Sequence, residues 1–395
     1  MCQETKNPLL EILNNSSGIV KQVSENADNY ELQIIYTQID RDKKNLPHFT
    51  DYEFNVDKKR YFYPASTVKM PISFLALEKI NKLKKQGIKI DKSSPLKIDS
   101  IAENQIVVDG DATSQTGEAS VEHYIKKIFL VSDNDAYNRL FEFLSPDYIN
   151  KTLAEKNIKP LRITHRLSVW GIDNTITPPF HFYKGKKEIY SQNKQLATAK
   201  YDGIQIENTQ KGKGYYSGDE LINKPMDFSQ KNYFPLQSML KSLQTVIFPE
   251  AFPANERFDL SKSDYQFLYK YMSMSPLKSD FPKYTANDYW DSYVKFFIFG
   301  DNKNPMPSNI KIFNKVGDAY GFLIDCAYIV DFETNTEFFL TAALSVNDDQ
   351  IYNDDKYEYE KIGFPFMANL GKEILKFEQN RKKQYLPDLK KFKLE

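Results

Sequence analysis

Residues 61–80 read "YFYPASTVKMPISFLALEKI", and the interpretation of the chain starts from this stretch. Apolar residues at helical spacing follow a small-residue start, which predicts a buried helix beginning near Ser66 and ending near Gly87. Ser66 and Lys69 are three residues apart at that start, so their side chains would share one face of the helix. The pair is either catalytic or a coincidence in a lysine-rich chain.

Strand-like segments occur towards both ends of the chain, and helical patterns occupy the middle. The predicted strands are residues 30–39, 52–63, 309–317, 320–332 and 337–347. The predicted helices are residues 8–25, several within 120–157, then 235–247, 263–274, 286–298 and 359–383. This order predicts an α+β fold, in which an antiparallel sheet built from both ends packs against terminal helices, beside a mostly helical lobe.

The 395 residues are expected to form one domain of two lobes. The α/β lobe would comprise about residues 8–63 and 305–383, and the helical lobe about residues 64–300. A polar stretch rich in Tyr and Lys, about residues 172–232, has no clear periodicity and is interpreted as an insertion with short hairpins. Its aromatic side chains would either bind a peptide or glycan or form a local core.

Composition excludes several classes of protein. Hydrophobic residues make up 41% of the chain, enough for a substantial core. Lys plus Arg and Asp plus Glu both number 53, so net charge gives no reason to expect a nucleic-acid partner. The two cysteines form no disulfide framework, and the four histidines show no metal-ligand spacing. We therefore expect no metal and no cofactor, and no apolar run is long enough for a transmembrane helix.

The first residues, "MCQETKNP", raise the question of location. A bacterial lipoprotein begins its mature chain at a cysteine followed by a polar tether, and Cys2 fits if Met1 replaces a removed signal peptide. The alternative is that Cys2 is simply the second residue of a cytosolic protein. The interpretation favoured by the motifs is an exported, periplasmic or outer-surface lipoprotein, tethered to a membrane through lipidated Cys2.

Ser-x-x-Lys alone is not informative, because it occurs seven times, and its local context must choose among the copies. The serines are Ser66, Ser94, Ser191, Ser238, Ser275, Ser292 and Ser308. Ser66 alone lies between a strand-like segment and a strong apolar helix. Lys-x-Gly occurs at Lys85, Lys315 and Lys361, and only Lys315 closes one strong strand directly before another.

Ser-Asp-Asn at residues 132–134 lies between these two motifs. The order Ser66/Lys69, Ser132/Asn134, Lys315/Gly317 resembles that of the class A β-lactamase-like and penicillin-binding-protein-like serine hydrolases. The order of elements matches this family over roughly residues 8–165 and 235–380. The alternative is that frequent Ser and Lys residues coincide.

The chemistry of these residues agrees with the resemblance. A serine hydroxyl needs a base within hydrogen-bond reach, and Lys69 can serve only when neutral, a state that burial and the nearby cation of Lys315 would favour. The backbone N–H of Ser66 is free at the helix start and can stabilise an oxyanion. The resemblance implies that the N–H of Asp318 is the second donor.

The resemblance also implies roles for the other motif residues. Ser132 would relay a proton to the leaving nitrogen, and Asn134 would hold the substrate amide and orient Lys69. Lys315 would attract a substrate carboxylate and raise the acidity of Ser132, and Gly317 belongs to the substrate-binding strand. Asp133 is expected to brace its loop.

Two departures from the family pattern bear on function. Class A enzymes carry a deacylating glutamate downstream of Ser-Asp-Asn, but residues 156–187 contain no Glu. His165 and Asp173 are the possible deacylation bases there, or else His165 and Arg166 pin the loop. The second departure is Val316, which replaces the hydroxyl residue that the family uses to bind an antibiotic carboxylate.

The sequence therefore predicts an exported serine hydrolase that forms an acyl-enzyme on Ser66. Its substrate would be a small β-lactam or a related amide or peptide. The alternative is a penicillin-binding or sensing module that acylates without efficient turnover. The oligomeric state is left open.

Overall fold

The computed structural model describes residues 7–102, 105–201 and 203–394, so Cys2 and the question of its lipidation lie outside the described residues. Nine α-helices occur in these ranges: α1 Pro8–Asn15, α2 Gly18–Glu25, α3 Lys69–Lys85, α4 Val121–Val131, α5 Asn134–Leu144, α6 Pro146–Glu155, α7 Leu236–Ile247, α8 Lys262–Ser273 and α9 Phe364–Asn380.

The strands of the same ranges are β1 Gln33–Arg41, β2 Pro47–Phe54, β3 Leu96–Ile98, β4 Ile176–Thr177, β5 Phe180–Lys184, β6 Lys187–Gln192, β7 Gln195–Leu196, β8 Gln210–Lys211, β9 Gly214–Ser217, β10 Glu220–Ile222, β11 Met226–Asp227, β12 Ile310–Ala319, β13 Phe322–Asp331, β14 Thr336–Ser345 and β15 Ile351–Tyr352. No helix in the described part of the chain is both long and apolar enough to cross a bilayer.

The main sheet joins the two ends of the chain. Its order is β12-β13-β14-β1-β2, and every neighbouring pair is antiparallel. Strand β1 pairs with β14 from Gln33 opposite Ala343 to Gln38 opposite Phe338. The predicted α+β fold, with an antiparallel sheet flanked by helices, is confirmed. Strand β12 is left at an edge, and this edge adjoins the turn that carries Ser66.

Each face of the sheet has its own apolar layer. One layer packs α1, α2 and α9 against the sheet and contains Leu9, Val20, Leu340 and Leu370. The other layer extends from the opposite face through α7 and α8 to α3, α4 and α5. Helix α3 is buried around most of its circumference, as expected for a helix in the middle of a domain.

The insertion at residues 172–232 consists of short strands, among them the hairpin β5–β6. Its aromatic residues do not form a separate core, because Phe180, Phe182 and Phe228 belong to the same apolar layer as α3. Since that layer is continuous, the division into two lobes with boundaries near residues 63 and 305 stays a proposal.

Three predictions of secondary structure were wrong. Residues 8–25 form two helices, because Ser16 ends α1 by donating a hydrogen bond from its Oγ to Ile12 O at 2.7 Å. Residues 286–298 form successive turns instead of a helix. There the buried Asp325 carboxylate accepts hydrogen bonds from the backbone N–H groups of Phe296 and Phe297, at 3.2 and 3.4 Å, which competes with helical pairing. The strand predicted for 52–63 ends at Phe54.

Candidate active site

Ser66 lies in a 3₁₀ turn, Ala65–Val68, and the helix predicted to begin near Ser66 is α-helical from Lys69 onwards. Ala65 has a φ of 46°, a left-handed conformation that costs roughly 1–2 kcal/mol for a residue with a Cβ. Thr67 ties the turn by donating from Oγ1 to Pro64 O at 2.6 Å. Ser66 lines a cleft of about 560 Å³.

Lys69 is fully buried, and its amine points at the Ser-Asp-Asn motif. Nζ donates to the backbone oxygen of Ser132 and to Asn134 Oδ1 at 2.6 Å, and lies 3.3 Å from Ser132 Oγ. All three acceptors are neutral. Burial therefore lowers the pKa of Lys69 to about 7, against the opposing attraction of Asp133 and Asp318. A neutral amine is thus accessible near neutral pH.

The Ser-Asp-Asn motif joins α4 to α5 through one unusual residue. Ser132 adopts φ 60° and ψ 37°, the left-handed conformation that commonly ends a helix. Asp133 then starts α5 by accepting a hydrogen bond from Ala136 N at 2.7 Å, so it braces the turn. This sharp connection places Ser132 and Asn134 together beside Lys69.

Lys315 reaches the same hydroxyl from β12. Its Nζ donates to Ser132 Oγ at 2.8 Å and to Val316 O at 2.9 Å. Burial is the main cause that holds the pKa of Lys315 well below its usual range, and the charge of the nearby Lys69 lowers this pKa further. Ser132 Oγ therefore lies between two amines from distant parts of the chain.

Gly317 allows β12 to approach the turn of Ser66. A Cβ on Gly317 would lie 2.8 Å from Pro64 O and 2.9 Å from Ser66 N, closer than real Cβ contacts. Any side chain at this position would push the strand away from the nucleophile. The glycine is required here by packing and not by an unusual φ.

The register of the β12–β13 hairpin orients the backbone of Asp318. Residues Ala319 and Phe322 flank a two-residue loop, so they form a hydrogen-bonded pair and the next pair, Asp318 with Leu323, is non-hydrogen-bonded. The N–H of Asp318 consequently points away from β13, at the sheet edge that adjoins Ser66. It is available as an oxyanion donor, as the family pattern implied.

The family model described as "Beta-lactamase enzyme family" matches residues 19–376. The chain belongs to the β-lactamase enzyme family. The resemblance drawn from the three motifs is thereby confirmed, and membership supports a hydrolase of the serine β-lactamase type. A comparison with curated proteins gives no match.

The chain is similar to solved β-lactamases at low sequence identity. A double mutant of the chromosome-encoded β-lactamase of Vibrio parahaemolyticus has a TM-score of 0.50 and 14% identity, covering 90% of this chain and 98% of that one. A β-lactamase from Sphaerobacter thermophilus has a TM-score of 0.48 and 10% identity, covering 95% of this chain and 98% of that one. A variant of a class A β-lactamase ascribed to the last common ancestor of Gram-negative bacteria has a TM-score of 0.49 and 14% identity, covering 93% of this chain and 100% of that one.

His165 lies in the cleft wall with both ring nitrogens engaged. Nδ1 is 2.7 Å from Arg166 O, and Nε2 accepts from the backbone N–H of Asn232 at 3.0 Å. Its ring stacks on Tyr63 with centroids 6.3 Å apart. Burial lowers the pKa of His165 to about 4, so the ring is neutral but presents no free lone pair to a water.

Asp173 is exposed, does not line the cleft, and closes a local turn. Its carboxylate accepts from Thr175 N and Oγ1 at 2.8 and 2.7 Å, and these bonds hold the pKa of Asp173 below its usual range. Arg166 pins the same loop from inside, through Glu142 Oε1 at 2.8 Å and the backbone oxygens of Asp173 and Ile176. The acid and the cation of this loop both make structural bonds.

Val316 does not line the cleft. Its side chain is buried in the apolar layer that β12 shares with α9. Strand alternation explains this, because Lys315 and Gly317 face the turn of Ser66 on the opposite side. The family's hydroxyl residue is thus replaced here by a core residue.

Sequence reasoning missed the aromatic wall of the cleft. Tyr63, Tyr320, Tyr357, Tyr359 and Trp170 line it. Tyr320 packs edge-on against Tyr63 at 5.0 Å while holding a φ of 54°, which is rare for a bulky residue. The tyrosine just before the nucleophile turn and the Tyr-Gly pair between two strong strands were the available signals. In the part of the chain that the structure describes, no group of His, Cys, Asp or Glu could hold a metal ion.

Proposed function

We propose that this chain is an acyl-transferring serine hydrolase in which Ser66 is the nucleophile. The observation that carries this proposal is the convergence of Lys69 and Lys315 on Ser132 Oγ at 3.3 and 2.8 Å, beside the cleft that Ser66 lines. Three distant segments meet there with the residue types that proton transfer requires.

In the acylation step, neutral Lys69 takes the Ser66 proton as Ser66 Oγ bonds to the substrate carbonyl carbon. The N–H groups of Ser66 and Asp318 stabilise the oxyanion, and one such donor is commonly worth about 3 kcal/mol of barrier. Ser132 then gives its proton to the leaving nitrogen as the C–N bond breaks. Lys69 restores that proton across the contact to Ser132 Oγ.

Deacylation requires a water and a base that can accept its proton. The sequence offered His165 and Asp173, but His165 donates and accepts two structural hydrogen bonds and Asp173 is exposed in a turn. This favours the second candidate function, a penicillin-binding or sensing module that forms an acyl-enzyme on Ser66 without efficient turnover. The substrate under either function is a β-lactam, or a related amide or peptide.

Export and membrane attachment through lipidated Cys2 remain part of the proposal. The measurement is incorporation of an alkyne-labelled fatty acid into the protein expressed behind a lipoprotein signal in bacteria. Cys2→Ala should abolish the label. Equal labelling of both forms would contradict the tether.

Incubation with a chromogenic cephalosporin and with a fluorescent penicillin tests the proposal. Turnover that is lost in Ser66→Ala supports a hydrolase, and a stable covalent label without turnover supports the sensing function. Ser308→Ala is the matched control, since Ser308 heads an exposed Ser-x-x-Lys copy outside the cleft. Reaction that persists in Ser66→Ala would exclude Ser66 as the nucleophile.

A further inference from the structure

Asp318 lines the same cleft as Ser66, and its carboxylate belongs to the residue whose backbone N–H is the proposed oxyanion donor. Within the described residues it accepts no hydrogen bond and forms no ion pair. It is accessible from the cleft yet surrounded by many protein atoms, and this desolvation raises the pKa of Asp318. The carboxylate is exposed to the cleft and has no partner in the described part of the chain, so a charged group of a bound substrate can meet it.

The nearby cations do not supply that partner. Lys69 directs its hydrogen bonds to Ser132 and Asn134, and Lys315 directs its own to Ser132 and Val316. The Arg166 guanidinium, also in the cleft wall, is paired with buried Glu142.

Lys231 is the remaining amine among the described residues that line the cleft. Its charge acts on His165: burial is the main cause that lowers the pKa of His165, and the charge of Lys231 lowers it further. The cleft that Ser66 lines therefore presents an unpaired carboxylate to a bound substrate. A substrate carboxylate placed beside it would meet a like charge.

Two tyrosines line the same cleft as this carboxylate. Tyr357 and Tyr359 both line the cleft, and their ring centroids are 5.6 Å apart. Burial raises the pKa of Tyr359, and the charge of Asp318 raises this pKa further. Aromatic rings beside a carboxylate are the surroundings that bind ammonium groups in proteins.

We infer that Asp318, together with Tyr357 and Tyr359, selects acyl donors that carry a cationic group and rejects those that carry a carboxylate. This inference rests on the proposed function, because it names the substrate class of the same site. It assigns to Asp318 a side-chain role in specificity beyond its backbone N–H. The cleft would then favour amides or esters with an ammonium group over carboxylate-bearing lactams.

The test uses three p-nitrophenyl esters of equal chain length on the full chain. One has a trimethylammonium terminus, one has the isosteric neutral terminus in which carbon replaces nitrogen, and one has a carboxylate terminus. We expect acylation kcat/KM for the cationic ester to exceed that of the neutral ester by about 3- to 5-fold, since an exposed charge pair in a protein is commonly worth up to about a fivefold change in an equilibrium. The carboxylate ester should react more slowly than both.

The Asp318→Asn variant keeps the backbone and the side-chain volume, and it should bring the cationic-to-neutral ratio close to one. Asp227→Asn is the matched control, because Asp227 is another acid of the cleft lining whose carboxylate accepts a hydrogen bond from Ser229 N, and the ratio should persist in it. Thermal melting and reaction with the neutral ester show that each variant is folded.

Each outcome bears on one claim or both. Ser66-dependent acylation without a charge preference, or a preference that survives Asp318→Asn, overturns this inference and leaves the proposed function standing. Absence of any Ser66-dependent acylation, for all three esters and both lactams, overturns the inference and the proposed function together.

Discussion

Lys69 and Arg166 are both buried cations of the candidate site, but their surroundings differ. Lys69 meets only neutral acceptors from Ser132 and Asn134, and its pKa falls to about 7 because burial is not offset by a paired acid. Arg166 lies against the buried carboxylate of Glu142 at 2.8 Å and ties two backbone oxygens of its loop. A buried cation without an acid can exchange a proton, whereas one paired with an acid holds structure.

The same contrast separates the two stretches that the family pattern marks as catalytic. The Ser-Asp-Asn turn leaves the hydroxyl of Ser132 between two amines. In the loop around His165, both ring nitrogens of His165 and the backbone N–H of Arg166 make structural hydrogen bonds. Acylation chemistry is thus concentrated on one wall of the cleft, and five experiments can break or sharpen this division.

The largest expected effect is that of Lys69→Met on acylation. Removing the base should lower the acylation rate by at least about a thousandfold, measured with the fluorescent penicillin or the neutral ester. Unchanged acylation would exclude Lys69 as the base.

The same variant has a signature in stability. Because folding lowers the pKa of Lys69 from 10.5 to about 7, the unfolded chain binds more protons between these values. The unfolding free energy of the wild type relative to Lys69→Met should therefore rise with pH across this window, by an amount of the order of 4 kcal/mol. Denaturant titrations at several pH values measure it, and a flat difference would contradict the lowered pKa.

Arg166→Met should be mainly a stability variant. It leaves the buried Glu142 carboxylate without its closest cation, a change that typically costs about 3–5 kcal/mol. Urea unfolding measures the loss, and the double variant Arg166→Met/Glu142→Gln should recover part of it. A loss below about 1 kcal/mol would show that the pair does not hold the loop.

Gly317→Ala should separate β12 from the nucleophile turn, because the new methyl group would contact Pro64 O and Ser66 N. Forcing a methyl group into such a contact typically costs about 1–3 kcal/mol, and we expect a slower acylation rate in addition. Gly203→Ala is the control, since a Cβ there meets nothing within 4 Å. Equal behaviour of the two variants would contradict the close approach of strand and turn.

The smallest expected effect concerns the pH dependence of acylation. The rate should rise as pH increases through about 7, because Lys69 must lose its proton to act as a base. His165→Gln and Asp173→Asn should leave the midpoint of that profile unchanged, since the pKa of His165 is already about 4 and Asp173 is exposed in its turn. A displaced midpoint in either variant would assign that residue to the proton path.

Much of this was accessible from local patterns. The apolar spacing after Ser66, the two strong strands on either side of Gly321, and the breaks around Ser132 and Ser145 predicted the buried helix, the hairpin and the three helices α4–α6. These features depend on neighbours in sequence, which is why propensity and periodicity describe them. The failure at residues 286–298 has a long-range cause, because its N–H groups bond to Asp325 of the sheet.

The amino-acid sequence by itself determined which chemical groups are present: one Ser-x-x-Lys between strand and helix, one Ser-Asp-Asn, and a Lys-x-Gly before a hairpin. Only the tertiary structure decided which polar and charged side chains near these motifs have a hydrogen-bond or ion-pair partner and which have none. In the folded chain Arg166 is paired with Glu142, and both ring nitrogens of His165 are hydrogen-bonded. The side chain of Val316 is buried in the core, whereas Asp318 lines the cleft. The physical reason is that burial and partners set the charge state of a side chain, and both come from residues far away in the chain.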